Sequence, residues 1–323
     1  MFSDIIKKIR QVKSLYRLVI YDAQRYYNHC MMKNPYLTQA RLLGLIAARQ
    51  HVVEKGLTMP QPRLGFGKDN IIAMIELCKI YEQKFDKSQE QYQSVIAVLK
   101  EYVAYHKTHA YTFDDEFLRK VESLIEKYPE VLPSKQVRIT SSKFFSLTDE
   151  SFPIFARSRH TVRNYSSKDV PLEVLEKVID LSRTAPSACN RQPIRVHICC
   201  ENAKDAVIKV HQGNRGFGHL ANKVLVVTSD LSSYIDAKER NCAFVDGGIF
   251  VMNLLYALHY YHIGACTLNW SATKADDEKL RQIISLPEEE EVVALICIGM
   301  LPEEMSIACA ERINTERIIS VHK

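Results

Sequence analysis

Residues 292–298 read Val-Val-Ala-Leu-Ile-Cys-Ile, seven apolar side chains in unbroken succession. A strand with one wet face alternates polar and apolar residues, so this run is expected to form a central strand covered on both faces. That requires a sheet with other elements packed above and below it. The surrounding sequence supplies them. Short strands are expected over 194–200, 224–228 and 264–268, and helices over 171–183, 202–211, 240–262 and 275–284. The helix over 240–262 is largely apolar and stops before Gly264, which suits a core position or a subunit interface. The second half of the chain is therefore a layered domain of α+β or α/β type.

The first half is different. Almost nothing in residues 1–128 alternates like a strand. Ile5, Ile9, Val12, Tyr16 and Val19 recur at helical spacing with Lys and Arg between them, predicting a helix over 1–30. Asn34-Pro35 reads as an N-cap followed by proline at the first helical position, opening a helix that ends at Gly56. Further helices are expected over 69–84, 89–107 and 114–128, the second of these with a capping box from Ser88 and Gln91. Residues 129–152, with two prolines and many Ser, Thr and Lys, read as a linker. The expected organisation is an all-α domain over 1–150, linker included, followed by a second domain over 151–323.

Charge and cysteine usage narrow the function. Residues 1–152 carry 23 Lys and Arg against 17 Asp and Glu, and residues 153–323 carry 20 against 21. The modest excess is spread along helices without a basic arm, so no nucleic-acid partner is expected. The nine cysteines form no CxxC pair and no zinc-type cluster, which suits free thiols in a reducing cytosol. His106 and His109 have ligand spacing but lack a Glu or His partner, so no metal is expected. No apolar run reaches the length of about 18 residues needed to cross a bilayer. No membrane partner and a cytoplasmic location are expected.

Three stretches could carry chemistry. Arg157-Ser158-Arg159-His160-Thr161-Val162-Arg163-Asn164-Tyr165 gathers three arginines, a histidine and hydroxyls ahead of a helix. Arginine meets phosphate oxygens two at a time, so the stretch suits a phosphate, although a solvated basic loop has the same composition. The others are Ala185-Pro186-Ser187-Ala188-Cys189-Asn190-Arg191-Gln192-Pro193 and Gly264-Ala265-Cys266-Thr267-Leu268-Asn269-Trp270. The glycine-rich Gly213-Asn214-Arg215-Gly216-Phe217-Gly218-His219 lacks the Gly-Lys-Ser/Thr of a phosphate loop and lies between a helix and a strand, the wrong order for a dinucleotide fingerprint. No Gly-x-Ser-x-Gly elbow is present, which argues against serine hydrolysis. Asp246-Gly247-Gly248 lies inside the long apolar helix, where glycines cost roughly 1 kcal/mol each. Close packing would explain them, and a catalytic role for Asp246 is the weaker reading.

Taken in order, the three stretches resemble the FMN-dependent nitroreductase family. Arg159-His160-Thr161-Val162-Arg163-Asn164-Tyr165 matches its opening motif, with Thr161 in place of the usual serine, and Pro186 to Pro193 matches its Pro-Ser-x-x-Asn-x-Gln-Pro loop. The resemblance covers residues 153–323 and leaves 1–150 uncovered. It implies an α+β, three-layer FMN domain with a central mixed sheet. It also implies that Arg159, His160 and Thr161 hold the FMN phosphate or ribityl chain, and that Arg163 sits near flavin N1. Pro186, Ser187 and Asn190 would present the loop to the flavin. The backbone of Thr267, Leu268 and Asn269 would follow the ring edge. Arg312, or Arg317 in its stead, would return to the phosphate. Asn214 is a further flavin contact by resemblance, with a flexible lid or turn as the alternative reading.

In such an enzyme the cofactor carries the chemistry, so no separate catalytic acid or base is expected. The activity implied is reduction of an electron-poor small molecule by NAD(P)H in a ping-pong cycle, by a homodimer. The alternatives are an FMN-dependent dehydrogenase of a biosynthetic intermediate and a flavin-less scaffold that binds a protein partner.

Overall fold

The computed structural model describes residues 2–134, 136–308 and 312–322. They fall into two compact units. One comprises residues 1–20 and 138–307, the other 21–137 and 308–323. The division thus falls at 137/138 rather than 150/151, and each end of the chain groups with the unit that lies away from it in sequence.

The helical unit follows its sequence pattern closely. After α1 (Phe2–His29), which is shared between the units, come α2 (Gln39–Leu57), α3 (Lys68–Lys84), α4 (Glu90–Thr108) and α5 (Asp115–Ile125). Leu42, Ile46, Ile71, Met74, Ile75, Tyr92, Ile96, Leu99, Tyr102 and Val121 form one continuous core. Two helix starts differ from expectation. The N-cap of α2 is Thr38, whose hydroxyl accepts the Arg41 N–H. Asn34 instead accepts the Tyr36 N–H in a preceding turn. The N-cap of α4 is Gln89 without a side-chain bond, because Ser88 pairs with Asp86. Among the described residues a capping box is present at Thr273 and Asp276, at the head of α11 below. His106 has both ring nitrogens engaged in hydrogen bonds. It is buried, donating from Nδ1 to Tyr102 O and accepting the Gly65 N–H at Nε2. No cluster with metal-ligand composition occurs among the described residues.

The expected linker over 129–152 is partly folded. β1 (Val137–Thr140) and α6 (Ser141–Phe144) lie within it, and Phe144 and Phe145 are buried with Val162, Met305 and Ile307. The aromatic pair inside an otherwise polar stretch supplies the apolar area that a linker lacks.

The layered unit continues with α7 (Phe152–Ser158), α8 (Leu172–Ser182), β2 (Ile194–Cys199), α9 (Glu201–Val210), β3 (Lys223–Asp230), α10 (Cys242–Tyr260), β4 (Gly264–Asn269), α11 (Lys274–Ile284), β5 (Glu290–Gly299) and β6 (Glu304–Ile307). β1 pairs with β6, and the main sheet runs β2-β3-β5-β4. Its three ladders are all antiparallel, where a mixed sheet was expected. β5 is an interior strand, as its apolar run requires.

Alternation across the ladders sets the layers. Leu225 faces Ile296 and Val227 faces Ala294 on one side, buried against Leu175 and Val178 of α8 and Phe250, Leu254 and Leu258 of α10. Val224, Val226, Leu295 and Cys297 are buried on the other side, where α9 and α11 pack. The unit is therefore a three-layer α+β domain. α10 is long and apolar enough, by length and composition alone, to cross a membrane, contrary to the sequence count. Half of its apolar window is buried inside the fold. Gly247 explains one of its two glycines, since a Cβ there would come within 2.5 Å of Val293 on β5.

Candidate functional site

The basic stretch is fixed by its apolar members. α7 ends at Ser158, and the chain then runs beside β4, the edge strand of the sheet. Val162 is buried and donates its N–H to Ala265 O at 3.0 Å. Tyr165 is buried, and its hydroxyl donates between Val162 O at 2.9 Å and Cys297 O at 3.1 Å. Burial pushes the Tyr165 phenol far above its ordinary pKa, so it remains a donor at all working pH. Its ring lies over Gly299, where a Cβ would approach within 2.8 Å. Ser166 N then donates to Met300 O at 2.8 Å. With Val162 and Tyr165 turned inward, Thr161 and Arg163 are left half-buried beside β4. The Arg163 guanidinium lies 5.9 Å from the centre of the Phe217 ring.

Behind the stretch stands a buried imidazole. His259 of α10 lies 2.8 Å from Ser158 Oγ through Nε2. The Ser158 hydroxyl donates to Phe155 O at 2.8 Å, so its oxygen accepts from His259. Burial, and then the neighbouring Arg159 and His160, push the His259 pKa down to about 4. His160 donates from Nδ1 to Ser158 O at 2.9 Å. Arg159, His160, Phe144, Leu255 and His259 line a cavity of about 10 Å³, room for no more than about one water.

The loop over 186–193 lies before β2, at the other edge of the sheet. Its backbone is strained. Cys189, Asn190 and Gln192 all have φ near +50°, a left-handed conformation uncommon for residues other than glycine. Three anchors hold it. Ser187 Oγ accepts the Gln192 N–H at 2.9 Å. Both carboxylate oxygens of Asp246 lie 3.2 Å from the Ala188 N–H. Arg191 meets Glu239 through two bonds of 2.9 Å and donates from Nε to Ala188 O at 3.0 Å. The Arg191 bond, followed by the Ile235 N–H, holds the Glu239 carboxyl below its usual pKa. Pro186 and Asn190 are exposed and Ser187 is half-buried.

The remaining sequence candidates divide. Leu268 is buried, while Thr267 and Asn269 are exposed on β4, and Asn269 O accepts from His211 Nε2 at 2.8 Å. His211 and Asn269 line a cleft of about 280 Å³ with Gly213, Trp270 and Asp276. Asn214 is turned inward. Its amide donates to Ile208 O and His211 O at 2.7 and 2.8 Å, closing the turn after α9. Arg312 belongs to the helical unit, where it lines a cleft of about 200 Å³ with Gln50, Glu54, Glu90 and Ser94. Arg317 lies in the same unit, against Gln91. The structure thus sets Val162 of the basic stretch against Ala265, two residues before Thr267 on the same strand β4. It sets the loop over 186–193 at the far edge of the sheet, with β3 and β5 between. A cavity of about 930 Å³ between α1 and residues 231–240 contains none of these residues.

Sequence reading missed Glu239 as a loop anchor, since nothing in its neighbourhood marks it, and misjudged Asp246. A carboxylate between an apolar helical run and two glycines was a signal of burial with a fixed partner.

Residues 156–300 match the model of the nitroreductase family. This segment is a nitroreductase-family domain. Residues 1–150 lie outside the match. A protein of Archaeoglobus fulgidus provisionally named NADH dehydrogenase/NAD(P)H nitroreductase is 27% identical over 168 residues, half of this chain and 92% of that one. An NADH dehydrogenase of Thermus thermophilus is 23% identical over 180 residues, 46% of this chain and 86% of its own length. Among solved structures, a protein of Desulfovibrio desulfuricans provisionally named a nitroreductase, in complex with FMN, is 19% identical with a TM-score of 0.45, covering 52% of this chain and 95% of its own.

Proposed function

We propose that the protein is an FMN-dependent oxidoreductase that takes reducing equivalents from NAD(P)H and passes them to an electron-poor small molecule such as a nitro compound or quinone. The observation that carries this reading is the placement of Arg159, His160, Thr161 and Arg163 in one extended segment beside the edge strand β4, within the family match.

The donor set fits FMN. Arg159, His160 and Thr161 supply cationic and hydroxyl donors for a terminal phosphate. Arg163 supplies a fixed cation suited to the ring. The outer edge of β4 offers backbone groups along Thr267–Asn269 to a flat heterocycle with alternating donors and acceptors. When bound, FMN supplies the two-electron chemistry; the side chains bind it, orient it and set its charge environment. His259, with its pKa pushed down to about 4, adds no positive charge beside Arg159.

The same geometry favours a homodimer. The strained loop over 186–193 and the basic segment stand at opposite edges of the sheet, about 14 Å apart at ordinary strand spacing. A second copy can bring its loop to the first copy's basic segment. α10 exposes Phe244, Val245, Ile249 and Met252 on one face, an apolar surface suited to such a contact. The activity and dimerisation this reading implies belong with a cytoplasmic location.

Release of the cofactor by heat and its chromatographic identification test the reading. FMN in a ratio near one per chain, with anaerobic consumption of NADH or NADPH on addition of a quinone, is the expected result. FAD, or a colourless protein that takes up no FMN, would overturn it. Reduction by a metabolite in place of NAD(P)H would point to the dehydrogenase alternative.

A further inference from the structure

We infer that α1 is a membrane-surface helix: its residues 5–20 lie in the interface of an anionic lipid layer. The sequence expectation of no membrane partner concerned segments that span a bilayer. A helix lying flat needs neither the length nor the uniform hydrophobicity of a spanning one.

Two observations point the same way. The first is an exposed apolar face, of which Val12 also borders the cavity beside residues 231–240. Ile5, Ile9, Val12, Tyr16 and Val19 recur at helical spacing, and they are 51%, 61%, 53%, 66% and 49% exposed. These five belong to the same unit as the family domain. The second is charge. Lys7, Lys8, Arg10, Lys13 and Arg17 fall within this stretch, and no Asp or Glu occurs from Ile5 to Tyr21.

The charge decides among occupants. A second α1 laid face to face would cover the apolar residues and leave the cations without counter-charge. Nucleic acid would satisfy the cations and leave the apolar face in water. An anionic lipid surface satisfies both. The apolar face enters the boundary between headgroups and chains, while the Lys and Arg stems reach back to the phosphates. The tyrosine at position 16 suits that boundary as well, having an apolar ring and a polar tip. At 1.5 Å per residue the stretch lies along about 24 Å of surface.

The experiment is co-sedimentation of the full chain with phosphatidylcholine vesicles, with and without about 30% phosphatidylglycerol. The expected result is binding to the anionic vesicles at least about tenfold stronger than to phosphatidylcholine alone, weakening as salt is raised. Val12→Asp, on the apolar face, should abolish it. Arg17→Glu, which leaves the apolar face intact, should weaken it by about fivefold or more. Both positions are exposed, so thermal unfolding should be unchanged, which separates lost binding from lost folding. Three results would each overturn the inference. One is no binding to either vesicle. Another is equal binding to both, which would remove the charge argument. The third is no vesicle binding together with a smaller assembly for Val12→Asp, which would show that another copy of the chain covers the face.

Discussion

The carboxylate of Asp246, in the second turn of α10, accepts the backbone N–H of Ala188 in the loop 58 residues earlier, with both oxygens at 3.2 Å from the nitrogen. It is 4% exposed and also lies 3.4 Å from the Tyr234 hydroxyl. A buried carboxylate needs such partners to offset its desolvation. The contact also ties a loop with three left-handed residues to α10. Asp246→Ala would leave the Ala188 N–H without its acceptor, at a cost of about 1–3 kcal/mol. Urea unfolding should show that loss, and Asp246→Asn, which keeps one acceptor oxygen, should lose less. If the loop presents FMN as proposed, Asp246→Ala should also weaken FMN binding. Unchanged stability in both variants would remove Asp246 from the anchoring role.

His259 gives a pH dependence with a defined sign. Its pKa is 6.5 in an ordinary setting and about 4 in the fold, lowered by burial first and by Arg159, His160 and His262 after it. Between these values the unfolded chain binds a proton that the folded chain does not. This contribution to stability is therefore full above about pH 6.5 and is lost as pH falls toward 4. The loss approaches about 3 kcal/mol. His259→Phe, which keeps a ring among Phe144, Phe145 and Phe155, should flatten the dependence of unfolding free energy on pH across this window. It also removes the bond to Ser158, so the variant should be less stable at pH 7. A pH profile with undiminished slope would show that other groups carry it.

The fold was legible where one physical pattern dominated. The run Val292–Ile298 required an interior strand, and β5 is one. Helical spacing of apolar residues placed α3 and α9 to within a residue or two at each end. What failed was local competition and pairing across the chain. Ser88 has the spacing of a capping box, but Asp86, two residues away, captures its hydroxyl and backbone N–H. The stretch over 129–152 has the composition of a linker, yet β1 is stabilised by β6, more than 160 residues later, a partner that composition cannot announce. The antiparallel order of the sheet is likewise a property of connections. Within the candidate site, the motif residues were legible. Their holders, Asp246 and Glu239, lie 58 and 48 residues from the groups they bind.

That partial folding of the presumed linker changes where the chain can be shortened. A chain beginning at Lys143 lacks β1 and the start of α6, including the Ser141 N–H that donates to Glu303 O. β6 would be left without its neighbour. A chain beginning at Gln136 keeps the pair. Proteolysis at 25 °C should cut the shorter chain faster, near β6, since an unpaired strand opens more readily. Equal resistance of the two would mean that β1 contributes nothing.

Arg159 and Arg163 are assigned different work, and the difference can be measured. Arg159 stands at the end of α7, next to His160, and is proposed to bind phosphate. Arg159→Ala should weaken FMN binding by about ten- to a hundredfold, the worth of a charge-assisted hydrogen bond. Arg163 lies four residues on, past the buried Val162, and is proposed to face the ring. A cation there favours the reduced, anionic cofactor over the neutral oxidised one. Arg163→Ala should therefore lower the two-electron potential of bound FMN. Arg163→Lys should keep much of the effect, because a point charge suffices where a bidentate fork is not needed. Redox titration of each variant beside a binding titration separates the roles. A shifted potential in Arg159→Ala with an unshifted one in Arg163→Ala would place the motif one turn of the segment out of register. Since Val162 and Tyr165 fix that register through Ala265 and Cys297, the same result would also contradict the structure of the segment itself.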